Sequence, residues 1–329
     1  MRDLLLLLCR YPYDETNRET LSKLISEVQD WTKTVELINT HGIIALASYN
    51  IKEAGLEKQI PEDAMAILEN GHMQSVVHNA WLTERWKEMN TILCDAGIKH
   101  VLLKGMALEH TLYESKGLRQ MNDNDILIKR DDALKAWYLL QKNGFSPELI
   151  KSPLHKKIMM DIGKHLPCLF KNGYSIEIHH KLFNENLSTD ISDVDPIENA
   201  IEIYIGDIKA WILSKEIQLK YLINHFERHA KEGSVQLRQY TDIILLDNTN
   251  KLLMPDAFIS DPMQAVKTKF RKAAYKVNLG SIPKNQRFRY LLGDIFPSIK
   301  WMKERYRCNG VKAIFYYPHR IEKLMWLIL

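Results

Sequence analysis

The chain has 329 residues, 46% of them hydrophobic and 26% charged, with a formal net charge of +4 at pH 7. At roughly 100 to 200 residues per domain this is two domains or one elaborated domain, and a charge balance this mild does not by itself call for a nucleic-acid partner. Four scattered cysteines (Cys9, Cys94, Cys168 and Cys308) form no CxxC pair, which argues against a structural zinc site or disulfide framework and fits a reducing cytoplasm.

The opening MRDLLLLLCRYP has a short apolar run, ended by Tyr11-Pro12 with no small-residue cleavage site, and reads as a buried first helix rather than a signal peptide. No apolar run nears the roughly 20 residues of a membrane span. From Leu4 to about Ala96 apolar residues recur at three and four spacing, with breaks at Thr40-His41-Gly42, Gly55 and Pro61 and a stop at Gly97. This predicts an all-helical N-terminal lobe over 1–97, with Trp31, Trp81 and Trp86 serving its core.

The pattern changes at Ile98. Strand-like pieces recur at His100 to Leu103, Asp125 to Lys129, Cys168 to Lys171 and Ser175 to His179. Ala200 to Ile205 and Ile208 to Leu213 read as a hairpin turning on Gly206-Asp207. With a helix from Arg130 to Asn143, the segment 98–213 reads as a small core with a mixed or antiparallel sheet. After Ser214 helical periodicity returns in EIQLKYLINHFERHA and QLRQYTDIILLDNT and runs on past Pro283, so 214–329 is a C-terminal helical region.

The chemistry concentrates in VLLKGMALEHTLYESKGLRQMNDNDILI, from Val101 to Ile128: strand, Lys104-Gly105, a helix expected to stop near Gly117, then an acidic strand. Strand side chains alternate, so Asp123 and Asp125 share a face and form a pair of hard oxygen ligands suited to magnesium or manganese. Glu177 is the natural third ligand, since Ile176 and Ile178 take the apolar face and leave Glu177 and His179 on the other. Gly105 allows close backbone approach, and the helix it opens offers N–H groups to an anion. Lys104 and Arg119 are then phosphate ligands; the plainer alternatives are a strand-end lysine and an arginine paired with Asp123 or Asp125.

Other signals are weaker. His225 and His229, at i and i+4, lack an HExxH context and read as core or surface residues. His179-His180 lie where they can meet a nucleotide, and the basic run from Lys267 to Lys276 reads as a solvated helix face. Asp242 is expected to cap a helix or pair with Arg238.

In this order the residues Lys104-Gly105, Arg119, Asp123-Asn124-Asp125 and Glu177-Ile178-His179 resemble the uncharacterised nucleotidyltransferase family of the polymerase-β-like superfamily. The flanks extend the resemblance: the helical N-terminal lobe, His225, His229 and Asp242, then Phe296-Pro297-Ser298 before Arg305-Tyr306. It implies an α+β fold, a small mixed-sheet nucleotidyltransferase core between helical regions. It also implies transfer of a nucleoside monophosphate from a nucleoside triphosphate, an ATP-type substrate, to an acceptor hydroxyl with release of pyrophosphate. Asp123, Asp125 and Glu177 would hold Mg2+ or Mn2+, and Lys104, Gly105, Arg119 and His179 would hold the nucleotide. The acceptor is left open among a small molecule, a peptide and RNA, the last making a toxin-like or RNA-modifying enzyme. Two features depart from the superfamily pattern: Lys-Gly replaces its usual Gly-Ser turn, and Asn124 stands where an apolar residue is usual. An unsatisfied Asn124 amide against the packed face would cost about 1 to 3 kcal/mol. A nucleotide-binding protein without turnover is therefore the alternative expectation.

Overall fold

The computed structural model describes residues 1–183, 194–232, 235–247 and 270–328. The N-terminal helices are α1 (Arg2–Leu8), α2 (Arg18–Ser26), α3 (Trp31–Thr40), α4 (Ile44–Glu53) and α5 (Glu62–Asp95). Helix α5 starts after Pro61, whose missing N–H costs nothing at a helix start, and gives way to Gly97 at φ +68°. Its 34 residues serve two cores. Ala64, Met65 and Leu68 pack into the N-terminal cluster, whereas Leu82, Trp86, Met89 and Leu93, at four-three-four spacing, lie against the sheet. Trp86 is fully buried as expected; Trp31 and Trp81 are only partly covered.

The sheet contains β1 (His100–Leu103), β2 (Asn124–Ile128), β3 (Ser146–Pro147), β4 (Leu169–Lys171), β5 (Tyr174–His179), β6 (Ile201–Ile205) and β7 (Ile208–Ile212), in the order β3-β4-β5-β2-β1-β7-β6. It is mixed: β2 runs antiparallel to β1 and parallel to β5, β7 runs parallel to β1, and β6–β7 is the expected hairpin about Gly206. Alternation sorts β1 onto two faces. Leu102 enters the cluster shared with α5 and α7 (Arg130–Lys142), while Val101 and Leu103 face Leu213, Ile217 and Tyr221. The chain is thus α+β, with helices flanking a small mixed sheet.

The remaining helices are α6 (Lys104–Thr111), α8 (Pro153–Asp161), α9 (Lys215–Glu232), α10 (Leu237–Leu246), α11 (Phe270–Ser281), α12 (Lys284–Ile295), α13 (Ile299–Tyr306) and α14 (Tyr317–Ile328). The largest apolar cluster joins Leu46 and Leu68 to Leu108 and Leu118 and to Phe226 and Ile243. Residues on both sides of the expected boundaries at 97 and 213 contribute to this cluster. The basic run from Lys267 to Lys276 lies outside the described residues as far as 269; the rest opens α11.

Helix α6 corrects one expectation, for it stops at Thr111 rather than near Gly117. Gly117, at φ +80°, is instead the point where the following segment crosses α5: a Cβ there would lie 2.4 Å from Val76 Cγ2 and 2.7 Å from its backbone. The buried Glu109 carboxylate holds this crossing by accepting from Gly117 N at 2.6 Å and Arg119 N at 3.3 Å.

Candidate active site

The β2–β5 register sets Asp125 opposite Glu177, and the β1–β2 register sets Asp125 opposite Leu103, one residue before Lys104. Two acidic side chains on adjacent strands and the lysine at the end of a third are brought together by sheet pairing alone. Lys104 has φ +46°, a left-handed conformation that costs a non-glycine residue energy and turns the chain sharply from β1 into α6. Its Nζ donates to Asp125 Oδ1 at 2.7 Å. Burial alone would depress the Lys104 ammonium, but Asp125, with smaller help from Tyr221 and Glu177, holds its pKa above the ordinary lysine value.

Asp125 Oδ1 takes a second donor, His179 Nε2 at 2.7 Å, and the same nitrogen lies 3.4 Å from Glu177 Oε2. Burial opposes ionisation of Asp125, yet Lys104 and His179 outweigh it and hold the carboxyl well below the usual range. Glu177 is likewise lowered against its own burial, chiefly by the His179 hydrogen bond. Donor atoms of Asp125, Glu177 and His179 all lie within 4.8 Å of one another. His179 is fully buried and does not line the cavity, and its ring contacts both carboxylates.

Asp123 stands just before β2 and faces the cavity. Its pKa is pushed up to about 6 by burial, then by the charges of Asp125 and Glu177. Asp123 thus shares the cavity with Glu177 and feels the charges of Asp125 and Glu177, with Lys104 as the near cation. Asp125, Glu177 and His179 are the group that could hold a metal ion, with Glu177 on the side of the cavity.

The cavity, about 360 Å³, is acidic on the sheet side and cationic opposite. Lys164, His225, Arg228, His229 and Arg238 line it, and the sequence reading assigned none of them a place in the site. Lys164 is held where the chain after α8 pairs with the end of β5: its carbonyl accepts from His180 N at 2.9 Å and Lys181 N at 3.2 Å. Burial, then Lys104 and Arg228, lower its ammonium to about 8. Arg238, lowered to about 10 by burial and by Arg119, donates to Gln120 O at 2.6 Å and Gln236 Oε1 at 2.7 Å. The two α9 histidines face the same cavity with Nε2 atoms 3.3 Å apart. Burial holds His225 far below the ordinary imidazole range and His229 at about 4, so both are neutral near pH 7. Among the described residues the converging metal-type donors are the sheet group, not this pair.

Arg119 lines the cavity but pairs with Asp242 where Asp123 or Asp125 was the expected carboxylate partner. Its Nε and Nη2 donate to Asp242 at 2.9 to 3.1 Å, Tyr113 OH donates to the same carboxylate at 3.0 Å, and Nη1 reaches Gln120 O at 3.3 Å. Asp242 therefore pairs with Arg119, and the expected Asp242–Arg238 pair is replaced. Gly105 is the reason this fits: a Cβ there would sit 2.7 Å from Arg119 Nη1 and 3.0 Å from Met121 Cγ. Asn124 is buried as expected, but its Nδ2 finds Tyr174 OH at 3.0 Å and Leu82 O at 3.4 Å, leaving only Oδ1 without a partner among the described residues.

A mixed sheet that sets paired acids beside a basic turn, with helices closing the cleft, is the arrangement that the resemblance implied. Comparison with known families narrows this: the uncharacterised nucleotidyltransferase family matches residues 27–275, and the chain belongs to it. Lys104, Arg119, Asp123, Asp125, Glu177, His225, His229 and Asp242 lie inside that stretch, whereas Phe296-Pro297-Ser298 and Arg305-Tyr306 fall beyond it. A search of curated proteins finds no match. Among the described residues no helix is long and apolar enough to cross a membrane.

Proposed function

We propose that this protein is a magnesium-dependent nucleotidyltransferase that moves a nucleoside monophosphate from a nucleoside triphosphate to an acceptor hydroxyl. The acceptor oxygen forms a bond to the α-phosphorus as the bond to the β-phosphate oxygen breaks, and pyrophosphate leaves. The observation that carries this reading is one cavity lined by Asp123 and Glu177 together with Lys164, Arg228 and Arg238, with Asp125 in register beside Glu177. Asp123, Asp125 and Glu177 would hold Mg2+ or Mn2+, which when bound supplies charge stabilisation for the entering and leaving oxygens.

The protein's own residues do the rest. His179 fixes the Asp125 and Glu177 carboxylates in place. Lys104 at the turn and Lys164, Arg228 and Arg238 opposite offset the charge of the triphosphate, with Arg119 Nη1 contributing beside Gly105. Neutral His225 and His229 add donors without adding charge. Catalysis on this reading is positioning plus electrostatics.

The test is pyrophosphate release with each nucleoside triphosphate and Mg2+ or Mn2+ over a panel of hydroxyl acceptors, comparing wild type with Asp125→Ala. Folded wild type that neither binds a triphosphate nor exceeds Asp125→Ala refutes the proposal. Tight triphosphate binding without product after long incubation would establish the binding protein instead.

A further inference from the structure

Charge is not spread evenly along the chain. The stretch 270–329 holds 13 lysines and arginines against 3 acids, although the whole chain nets only +4, so the remainder is net acidic. One of those acids, Asp294, is fully buried, which leaves Glu304 and Glu322 at this surface. The stretch lies almost wholly beyond the family match, which ends at residue 275.

Within it, cations and apolar side chains are exposed side by side. After α13 the chain turns at Arg307, φ +48°, and enters a 3-10 helix, Gly310–Tyr316. Three residues per turn place Gly310, Ala313 and Tyr316 in one row. That row faces inward, since Ala313 is fully buried and Tyr316 stacks on Tyr306 with ring centroids 4.3 Å apart. The other two rows, Val311 with Ile314 and Lys312 with Phe315, are left outside. Val311, Ile314 and Phe315 are exposed by 72%, 52% and 78%, and the exposed Arg305, Arg307 and Lys312 flank them in the chain. Tyr317 OH fixes the far end by donating to Pro297 O at 2.6 Å. Helix α14 then buries Arg320 over the Trp301 ring and exposes Ile321, Met325 and Trp326, the reverse of ordinary patterning.

We propose that the 305–315 segment docks on an anionic phospholipid surface. Val311, Ile314 and Phe315 enter the boundary of the acyl chains, and Arg305, Arg307 and Lys312 meet the lipid phosphates. The same surface repels the net acidic remainder, which orients the molecule with this segment toward the lipid. Val311 and Ile314 decide against single-stranded RNA, whose bases need stacking faces that aliphatic side chains lack. A second copy would set this basic surface against itself. The assignment does not depend on the nucleotidyl-transfer reading.

The experiment is flotation of the full-length protein with vesicles of phosphatidylcholine plus phosphatidylglycerol, and with vesicles of phosphatidylcholine alone. Wild type should partition at least about tenfold more tightly onto the anionic vesicles, and added salt should weaken it. Phe315→Asp and Val311→Asp should each weaken that partitioning about tenfold or more, by placing a carboxylate where the apolar chain entered. Arg305→Gln combined with Lys312→Gln should weaken it about twentyfold on anionic vesicles and leave neutral vesicles unaffected. All these sites are exposed, so each variant should keep the wild-type melting temperature. Equal partitioning onto both vesicles, or Phe315→Asp floating as wild type does, overturns the proposal. So does a dimer in sedimentation that Phe315→Asp splits, or a single-stranded RNA that binds this segment while anionic vesicles do not.

Discussion

The Lys104–Asp125 and Arg119–Asp242 pairs each bury a cation against an aspartate within reach of Gly105, yet they differ in what is left over. The Asp242 carboxylate accepts three bonds from Arg119 and one from Tyr113, and ties α10 to the segment entering β2. That pair is saturated and joins parts of the chain 123 residues apart. Asp125 instead gathers both of its donors on Oδ1 and stands in register with Glu177, which lines the cavity together with Asp123. Similar chemistry thus gives a clamp where partners are complete, and a site where charge is left uncompensated.

Breaking each pair in turn should separate the two roles, and the largest effect belongs to the open one. Asp125→Asn keeps the shape, and Lys104 retains Glu177 and Asp123 as neighbouring charges. Nucleotidyl transfer should fall by about a thousandfold or more, roughly 4 kcal/mol at the transition state, with a thermal midpoint close to wild type. The clamp should show the reverse. Asp242→Ala leaves the Arg119 guanidinium buried and unpaired, and should cost about 3 to 5 kcal/mol in denaturant unfolding while the folded fraction still binds Mn2+. Equal stability losses for both variants would erase the distinction.

Gly105 is where the pairs touch, so its substitution should disturb both at smaller cost. A Cβ in contact with Arg119 Nη1 and Met121 forces one of them to move, which in a packed site costs about 1 to 3 kcal/mol. Gly105→Ala should lower stability in that range and also weaken triphosphate binding, whereas Gly55→Ala, with open space around it but φ +63°, should lower stability alone.

How much of this was readable follows from sequence distance. The acids were legible because strand alternation is a local rule, with Ile176 and Ile178 marking the face that Glu177 must leave. Lys104 was legible because the strand ahead of it ends there. Arg119 was read as a phosphate ligand or a partner of Asp123 or Asp125, and Asp242 was not foreseen because it lies on a helix whose position only tertiary packing fixes. Gly117 was taken for a helix stop, since local sequence cannot show that Val76 comes within contact distance. Lys164 was missed with the helix before it, although Ser152-Pro153 carried a readable start: Ser152 Oγ accepts from His155 N at 3.2 Å and Pro153 takes the first position. The histidine spacing on α9 was seen, but the cavity it faces is built by the sheet.

Lys164 gives the smallest and most selective effect, because it tests whether the wall opposite the acids grips phosphate. Its folded pKa of about 8 lies below the ordinary lysine value of 10.5, so between these values the unfolded chain holds the extra proton. Stability should therefore rise modestly with pH across that window. Triphosphate affinity should move the other way: the ammonium is present below about pH 8 and lost above it. Binding at pH 7 should be accompanied by little proton uptake, and at pH 9 by uptake approaching one proton, as the phosphates raise the lysine's pKa. Lys164→Met should lower affinity up to about tenfold at pH 7, have less effect at pH 9, and abolish the uptake. Calorimetry in buffers of different ionisation enthalpy reads that proton directly. An undiminished uptake in Lys164→Met would move the phosphate grip to Arg228, Arg238 and Lys104 and leave Lys164 as a buried spacer against β5.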